Sequence, residues 1–423
     1  MQRLICVFLS CFISLSAKPL KIDVASPTAI LMNLDTGAIL YEKNIHQRHY
    51  PASITKIATA LYVLEKMGDK LEDCVVATPH ALSIVHASLR QAPGSKHPSY
   101  RLEHDGTMMG IKPGEHLTLK TLLYGLMLSS GNDAGNVLAE AMSGSIDQFI
   151  AELNDFLLKK GIKETHFTNP HGLHHHEHWT TAYDMAQMTR IAMCHPTFRE
   201  IVKTAQYEKP TSNKQPARIL NQHNRLVKPG RHFYSKAIGV KTGYVSKAGH
   251  TFVGAAQHEG RTLIAVLLNC AESEHRFKDS IKLFEAAFAE KQVSRTLFAK
   301  ESDCFTRVIR SSKSPLKAVL KEDLVLKYYP AEEPAFRAEI HWSNTLLPIH
   351  AGDAVGHLRL VSDAGDVINE LVLHASTDLK KKAWVKLVDF CSEYRNVFVG
   401  VFLSAQVFLL LFYFFEKDKK VPK

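Results

Sequence analysis

The chain has 423 residues, 45% of them hydrophobic and 22% charged, with a formal net charge of +10. That is enough apolar material for two or three packed units, and it excludes an intrinsically disordered chain. In a chain that begins like an exported one, the positive balance points to anionic membrane surfaces or an acidic polymer, and no nucleic acid is expected as a partner.

In chain order, residues 1–17 carry Arg3, an apolar stretch from Leu4 to Leu15, and the small residues Ser14, Ser16 and Ala17. The stretch is about a dozen residues where about twenty are needed to span a bilayer, so it predicts a cleaved secretory signal peptide. From 20 to 290, strand-like runs stand near both ends: TAILMNLDTGAILYE early, and GHTFVGAAQHEGRTLIAVLLN late, with a hairpin turn from His258 to Arg261. Helical patterns lie between them. Strands from both ends can pair into one sheet, so the predicted class is α+β: an antiparallel sheet flanked by helices with a helical insert.

Residues 306–376 change to short β-type runs broken by Pro330, Pro334, Pro348 and Gly352, a small all-β domain without a cluster of catalytic residue types. In 379–396, Trp384, Leu387, Val388, Cys391 and Tyr394 share one helical face while Lys380, Lys381, Lys382 and Lys386 lie largely elsewhere. This pattern fits a juxtamembrane helix at the lipid interface, and equally an ordinary surface helix. Residues 397–415 carry no charge and would be about 28 Å long as a helix, a candidate C-terminal transmembrane anchor. The tail 416–423 holds four lysines and is expected in the cytoplasm, which leaves the catalytic domain on the outer, periplasmic side of the inner membrane. Cys74, Cys194, Cys270, Cys304 and Cys391 are odd in number and scattered without metal-ligand spacing, and they read as small buried hydrophobes rather than a disulfide frame or a zinc site.

The chemistry starts at PASITK, residues 51–56. Ser53 precedes Ile54, Ile57, Ala58, Leu61 and Leu64, a helical stripe that ends at Gly68, which places Ser53 and Lys56 one turn apart on one face. A neutral amine there can take the serine proton, provided burial or a nearby cation lowers its pKa from about 10.4. The competing reading makes Ser53 an ordinary helix N-cap. Two further triplets bear on the choice: Ser130-Gly131-Asn132 in a small-residue break after a helical run, and Lys241-Thr242-Gly243 at the end of a strand. Each is weak alone. In the order SxxK, SxN, KTG within one exported domain they form a strong set for acyl transfer by a serine nucleophile.

With these residues the chain resembles the low-molecular-weight penicillin-binding proteins that are D-alanyl-D-alanine carboxypeptidases. The segments ILMNLDTGAILYEKN, PASITKIATA, LLYGLMLSSGNDA, TNPHGLHHHEHWTTAYDMAQM, GVKTGY and RTLIAVLLNCAESEHRF follow that family's order. The resemblance implies a fold of the β-lactamase/transpeptidase type, peptidoglycan stem peptides as substrates, β-lactams as covalent inhibitors, and no cofactor. It makes Ser53 the acylated nucleophile, Lys56 its base and Ser130 the proton carrier to the leaving D-alanine. Asn132 would bind the peptide, and Lys241, Thr242 and Gly243 would hold the terminal carboxylate, with Arg276 nearby. The backbone N–H groups of Ser53 and Tyr244 would form the oxyanion hole.

Two features depart from the family pattern. Tyr244 stands where many of these enzymes have histidine, and RQAPGSKHPSYRLEHDG after Leu89 is longer and more polar than usual. The tract of His171, His174, His175, His176, Glu177 and His178 contains metal-ligating types. The serine mechanism requires no metal, and the tract is expected to be a solvated, pH-sensitive loop. Rival functions are a β-lactamase-like hydrolase, which would need an activating glutamate such as Glu164, and a non-catalytic cell-envelope scaffold.

Overall fold

The computed structural model describes residues 11–13, 18–68, 70–92, 94–343, 346–362, 365–395 and 401–409. It divides into two compact units, one of Ala17–Gln292 with Tyr329–Glu333, the other of Val293–Tyr328 and Pro334 onward together with the short strand Cys11–Ile13.

The first unit is organised by five antiparallel strands: β1 (Thr28–Asn33), β2 (Ile39–Lys43), β3 (Ala237–Val245), β4 (Gly249–His258) and β5 (Arg261–Cys270), in the order β2-β1-β5-β4-β3. The ladder between β1 and β5, from Thr28 opposite Leu268 to Asn33 opposite Leu263, joins the beginning of the unit to its end. The β4–β5 turn places Glu259 at φ +46° and Gly260 at φ +79°, the two left-handed positions of a type I′ hairpin.

Every residue of β1 is buried, because helices cover both faces of the sheet. Ile30 and Met32 point into a large core shared with α1 (Lys56–Met67), α2 (Leu119–Met127), α3 (Asn132–Ser143), α4 (Ile146–Lys159) and α5 (Ala182–Ala192). Ala29 and Leu31, one residue out of phase, pack with Phe277, Leu283 and Phe284 of α6 (His275–Phe288) on the opposite face. The insert between β2 and β3 is therefore mostly helical. Ser145, Thr181 and Thr118 cap α4, α5 and α2 with side-chain oxygens, the local chemistry expected where these helices begin.

The second unit is an antiparallel sheet in the order Cys11–Ile13, Phe336–Trp342, Ala354–Ser362, Val367–Ala375, Leu316–Leu320, Cys304–Arg307, with a two-stranded ladder of Val293–Phe298 and Leu324–Tyr328. Its core holds Leu316, Leu320, Leu324, Phe336, Leu358, Leu360 and Leu373. Residues 11–13 lie inside the segment expected to be a removable leader. Helix α7 (Ala383–Glu393) exposes Trp384, Leu387, Val388 and Phe390.

Among the described residues no helix is long and apolar enough to cross a membrane. The expected 397–415 span is described only over 401–409, which is helical and exposed, and the rest of it lies outside the described residues. Cys74, Cys194, Cys270 and Cys304 are free thiols, but of these four Cys270 alone is the buried hydrophobe expected; the other three are exposed, outside the packed cores.

Candidate active site

Ser53 is not a helix cap. It sits in a 3-10 turn, Ala52–Thr55, which continues into α1 at Lys56, and the residue before that helix makes no side-chain cap bond. The turn opens on Ala52 at φ +52°, a left-handed backbone that a non-glycine residue adopts only where its surroundings hold it. Three groups do so. Thr251 Oγ1 donates to the Pro51 carbonyl at 2.8 Å, and Thr55 Oγ1 donates to the Ala52 carbonyl at 2.9 Å. His178 Nδ1 accepts from the Thr168 N–H at 3.0 Å, so Nε2 carries the proton and donates to Thr55 Oγ1 at 2.8 Å. His178 is buried, and burial lowers its pKa well below the ordinary histidine value.

Lys56 is fully buried, with Nζ 2.9 Å from Ser53 Oγ, 2.7 Å from Asn132 Oδ1 and 2.6 Å from the His171 carbonyl. Burial, then the positive charge of Lys241, drive its pKa well below that of an ordinary lysine. A neutral amine has two N–H donors and one lone pair. In that form the Asn132 and His171 oxygens would accept the two N–H groups and the lone pair would face the Ser53 hydroxyl.

The second motif is set by backbone geometry. Ser130 is buried at φ +58°, and its carbonyl accepts from Thr107 Oγ1 at 2.9 Å. Asn132 is the first residue of α3. Asp133 fixes both, because its carboxylate accepts the N–H groups of Met109, Gly110 and Ile111 at 2.7 to 3.0 Å and ties segment 107–111 to the start of that helix. Asn132 Nδ2 lies against Gly106, where a Cβ would meet it at 2.9 Å.

The third motif lies on edge strand β3. Lys241 Nζ is 3.0 Å from Ser130 Oγ, and burial followed by the charge of Arg276 pulls its pKa down to about 7. Thr242 and Gly243 follow on the same strand. A Cβ on Gly243 would lie 2.9 Å from the Ser53 backbone nitrogen and 2.3 Å from Thr251 Oγ1, so only glycine lets β3 approach Ser53 this closely. Arg276 donates to the Gly243 carbonyl at 3.0 Å, and burial lowers its pKa to about 10. Tyr244 is exposed and stacks on His250 at 4.5 Å.

Ser53, Ser130, Asn132, Thr242, Gly243, Tyr244 and Arg276 line one cleft of about 810 Å³, with Lys56 and Lys241 buried behind its wall. Arg225, Lys228 and Lys247 make its rim basic. The cleft-lining acids are Glu103, held by Arg90 at 2.5 and 2.7 Å, and the exposed Asp105. Glu164 is not among the lining residues; it pairs with His46 at 2.6 Å.

The long polar segment after Leu89 is pinned by that Arg90–Glu103 pair and by Arg90 donating to the His174 carbonyl at 2.9 Å, and it forms part of the cleft wall. The histidine tract departs from the solvated loop expected of it. His171 and His178 are fully buried, and only His176 and Glu177 are exposed. Sequence reasoning also missed Thr55, Thr107, Asp133, Gly172, His178 and the cleft-lining His223. Gly172, at φ +91°, is fixed by space, since a Cβ there would overlap the Ala52 carbonyl oxygen. For Thr55, Asp133, Gly172 and His178 the available signal was their place inside the motif stretches; Thr107 and His223 lie outside those stretches and carried none.

Residues 14–272 match the family model described as D-alanyl-D-alanine carboxypeptidase, peptidase family S11. The D-alanyl-D-alanine carboxypeptidase DacF of Bacillus subtilis is 28% identical over 363 residues, covering 85% of this chain and 87% of that protein. The crystal structure of the D-alanyl-D-alanine carboxypeptidase DacD from Francisella tularensis superposes with a TM-score of 0.57 at 23% identity over 87% of this chain and 97% of that one, which establishes the fold. The Streptomyces K15 DD-transpeptidase gives a TM-score of 0.55 at 28% identity, covering 64% of this chain and 99% of its own. Motif order, site geometry and these matches converge: the chain belongs to the D-alanyl-D-alanine carboxypeptidase family, S11.

Proposed function

We propose that the protein is a serine-type D,D-carboxypeptidase that removes the terminal D-alanine from peptidoglycan stem peptides through an acyl-enzyme on Ser53. The observation that carries this is Lys56: a buried amine with lowered pKa, its Nζ 2.9 Å from the Ser53 hydroxyl and within hydrogen-bond reach of the Asn132 and His171 oxygens.

Ser53 Oγ attacks the penultimate D-alanine carbonyl while its proton passes to Lys56 Nζ. Donors fixed in place stabilise the developing oxyanion, a role we give to the Ser53 and Tyr244 N–H groups. Ser130, whose oxygen accepts from Lys241 at 3.0 Å, relays the proton taken up by Lys56 to the leaving amine, so Lys56 returns to its neutral form and Lys241 keeps its charge. Lys241, Thr242 and Arg276 receive the free carboxylate of the last D-alanine, a pairing of anion with cation and hydroxyl that selects a chain terminus. Water then hydrolyses the acyl-enzyme. β-Lactams, which mimic the D-Ala-D-Ala end, acylate the same oxygen. A β-lactamase reading has less support, because Glu164 pairs with His46 away from the cleft.

Incubated with a defined muropentapeptide, the wild-type chain is expected to release D-alanine and Ser53→Ala to release none. Tetrapeptide formation by Ser53→Ala, or none by wild type, overturns the proposal in favour of another nucleophile or a scaffold.

We also infer export by a signal peptide at 1–17 and attachment to the outer face of the cytoplasmic membrane through 379–415. The exposed apolar side chains of α7 and the uncharged run that follows support this. A chain ending at residue 378 is expected in the soluble fraction while the full chain sediments with membranes; recovery of the full chain in the soluble fraction contradicts the anchor.

A further inference from the structure

The loop from Thr168 to Trp179 holds more ligating chemistry than the serine mechanism uses. His175, His176 and Glu177 each offer a ligand atom, all within 4.8 Å of one another, the one group of this kind among the described residues. We propose that these three side chains bind a first-row divalent transition ion, Zn²⁺ foremost.

The donor set is two imidazoles and one carboxylate, which zinc accepts with water in its fourth position, whereas calcium and magnesium favour oxygen alone. Tetrahedral zinc with bonds of about 2.0–2.2 Å needs ligand atoms about 3.4 Å apart. The remaining closure is a rotation of the side chains of His176 and Glu177, both exposed and free to turn. His175 Nδ1 accepts from the Glu177 N–H at 3.2 Å, so its lone pair is on Nδ1, and the ion takes that lone pair in place of this long hydrogen bond. The turn is preset by the His178 N–H donating to the His175 carbonyl at 3.0 Å, and the His175 and His176 rings lie 4.3 Å apart.

The position gives the ion a consequence. On one side of the three ligands His171 offers its carbonyl to Lys56, and on the other His178 supports Thr55 in the nucleophile turn. An ion held between them ties down the loop that positions both catalytic groups without touching the reacting atoms. It is a structural clip, separate from the cofactor-free chemistry at Ser53.

The test is zinc titration of the full chain, free of any affinity tag, in competition with a chromophoric chelator. Wild type is expected to take up one equivalent of Zn²⁺ and to melt at a higher temperature with it than without. His175→Asn/His176→Ala is expected to bind at least roughly tenfold more weakly and Glu177→Gln to be weakened as well, with unchanged metal-free melting. If the double variant fails to melt cooperatively, His176→Ala alone, at an exposed position, carries the same expectation. No uptake by wild type, or wild-type affinity after the histidines are replaced, overturns the proposal. Metal uptake is read without any turnover, so failure of the peptidase reading leaves this result standing.

Discussion

Lys56 and Lys241 are two buried amines with opposite tasks. In the proposed mechanism Lys56 has to be neutral to accept a proton, and Lys241 has to be charged to hold a carboxylate. Burial lowers both, and Arg276 adds to the lowering of Lys241, which brings its pKa to about 7. The value of kcat/KM reports the free enzyme, so it is expected to fall as pH rises through that value and Lys241 loses its proton. Arg276→Gln removes a repelling charge, so this alkaline limb should move to higher pH while KM rises; a pH–rate profile of both proteins checks it. Thr55 is a positioning residue of the same site. Thr55→Val leaves the buried His178 N–H without this partner, a cost of about 1–3 kcal/mol, and removes the side-chain bond that helps hold the Ala52 carbonyl. Stopped-flow acylation is expected to slow by roughly ten- to a hundredfold, because a small displacement of a nucleophile is enough for that. The motif residues were legible in the sequence as a set, since order and spacing single them out, and they meet in or behind one cleft. The N-cap alternative at Ser53 fails for a reason local propensity does not contain: Gly172, Thr251 and His178, all far along the chain, hold Ala52 at positive φ.

At the scale of elements, the strands at both ends of the first unit and the hairpin at His258–Arg261 were readable from alternation and turn chemistry. The loop 168–179 was not. A run of histidines reads as polar and solvated, yet His171 donates from Nε2 to the Tyr100 carbonyl at 3.1 Å and is buried with a strongly lowered pKa. His178 is buried in the same way. Both folded values lie below the ordinary 6.5 of the unfolded chain, so their contribution to stability is fully present above that pH. As pH falls below it the unfolded state takes up protons that the folded state refuses. The melting temperature is therefore expected to drop between pH 6.5 and 5.5, with a slope of up to about 1.4 kcal/mol per pH unit for each histidine. His178→Gln, which does not titrate, should make that drop shallower; an unchanged slope would mean that His178 is protonated in the folded state. The segment after Leu89 was likewise readable as polar but not as fixed, because the burial of Arg90 against Glu103 depends on partners that spacing does not reveal.

In the molecule as a whole, the division of labour follows from where the motifs fall. The SxxK turn opens α1, the SxN turn opens α3 and KTG lies on the edge strand β3, three elements from distant parts of the chain that meet only when β1 pairs with β5. The second unit gathers its core from aliphatic strands, and none of the active-site residues comes from it. The account reduces to one claim, that Ser53 Oγ is the atom acylated. Mass spectrometry of the full chain after mixing with benzylpenicillin tests it most directly. The predicted result is one covalent adduct that maps to the peptide containing Ser53 and is absent from Ser53→Ala, and an adduct that survives in Ser53→Ala, or none on the wild-type chain, would contradict it.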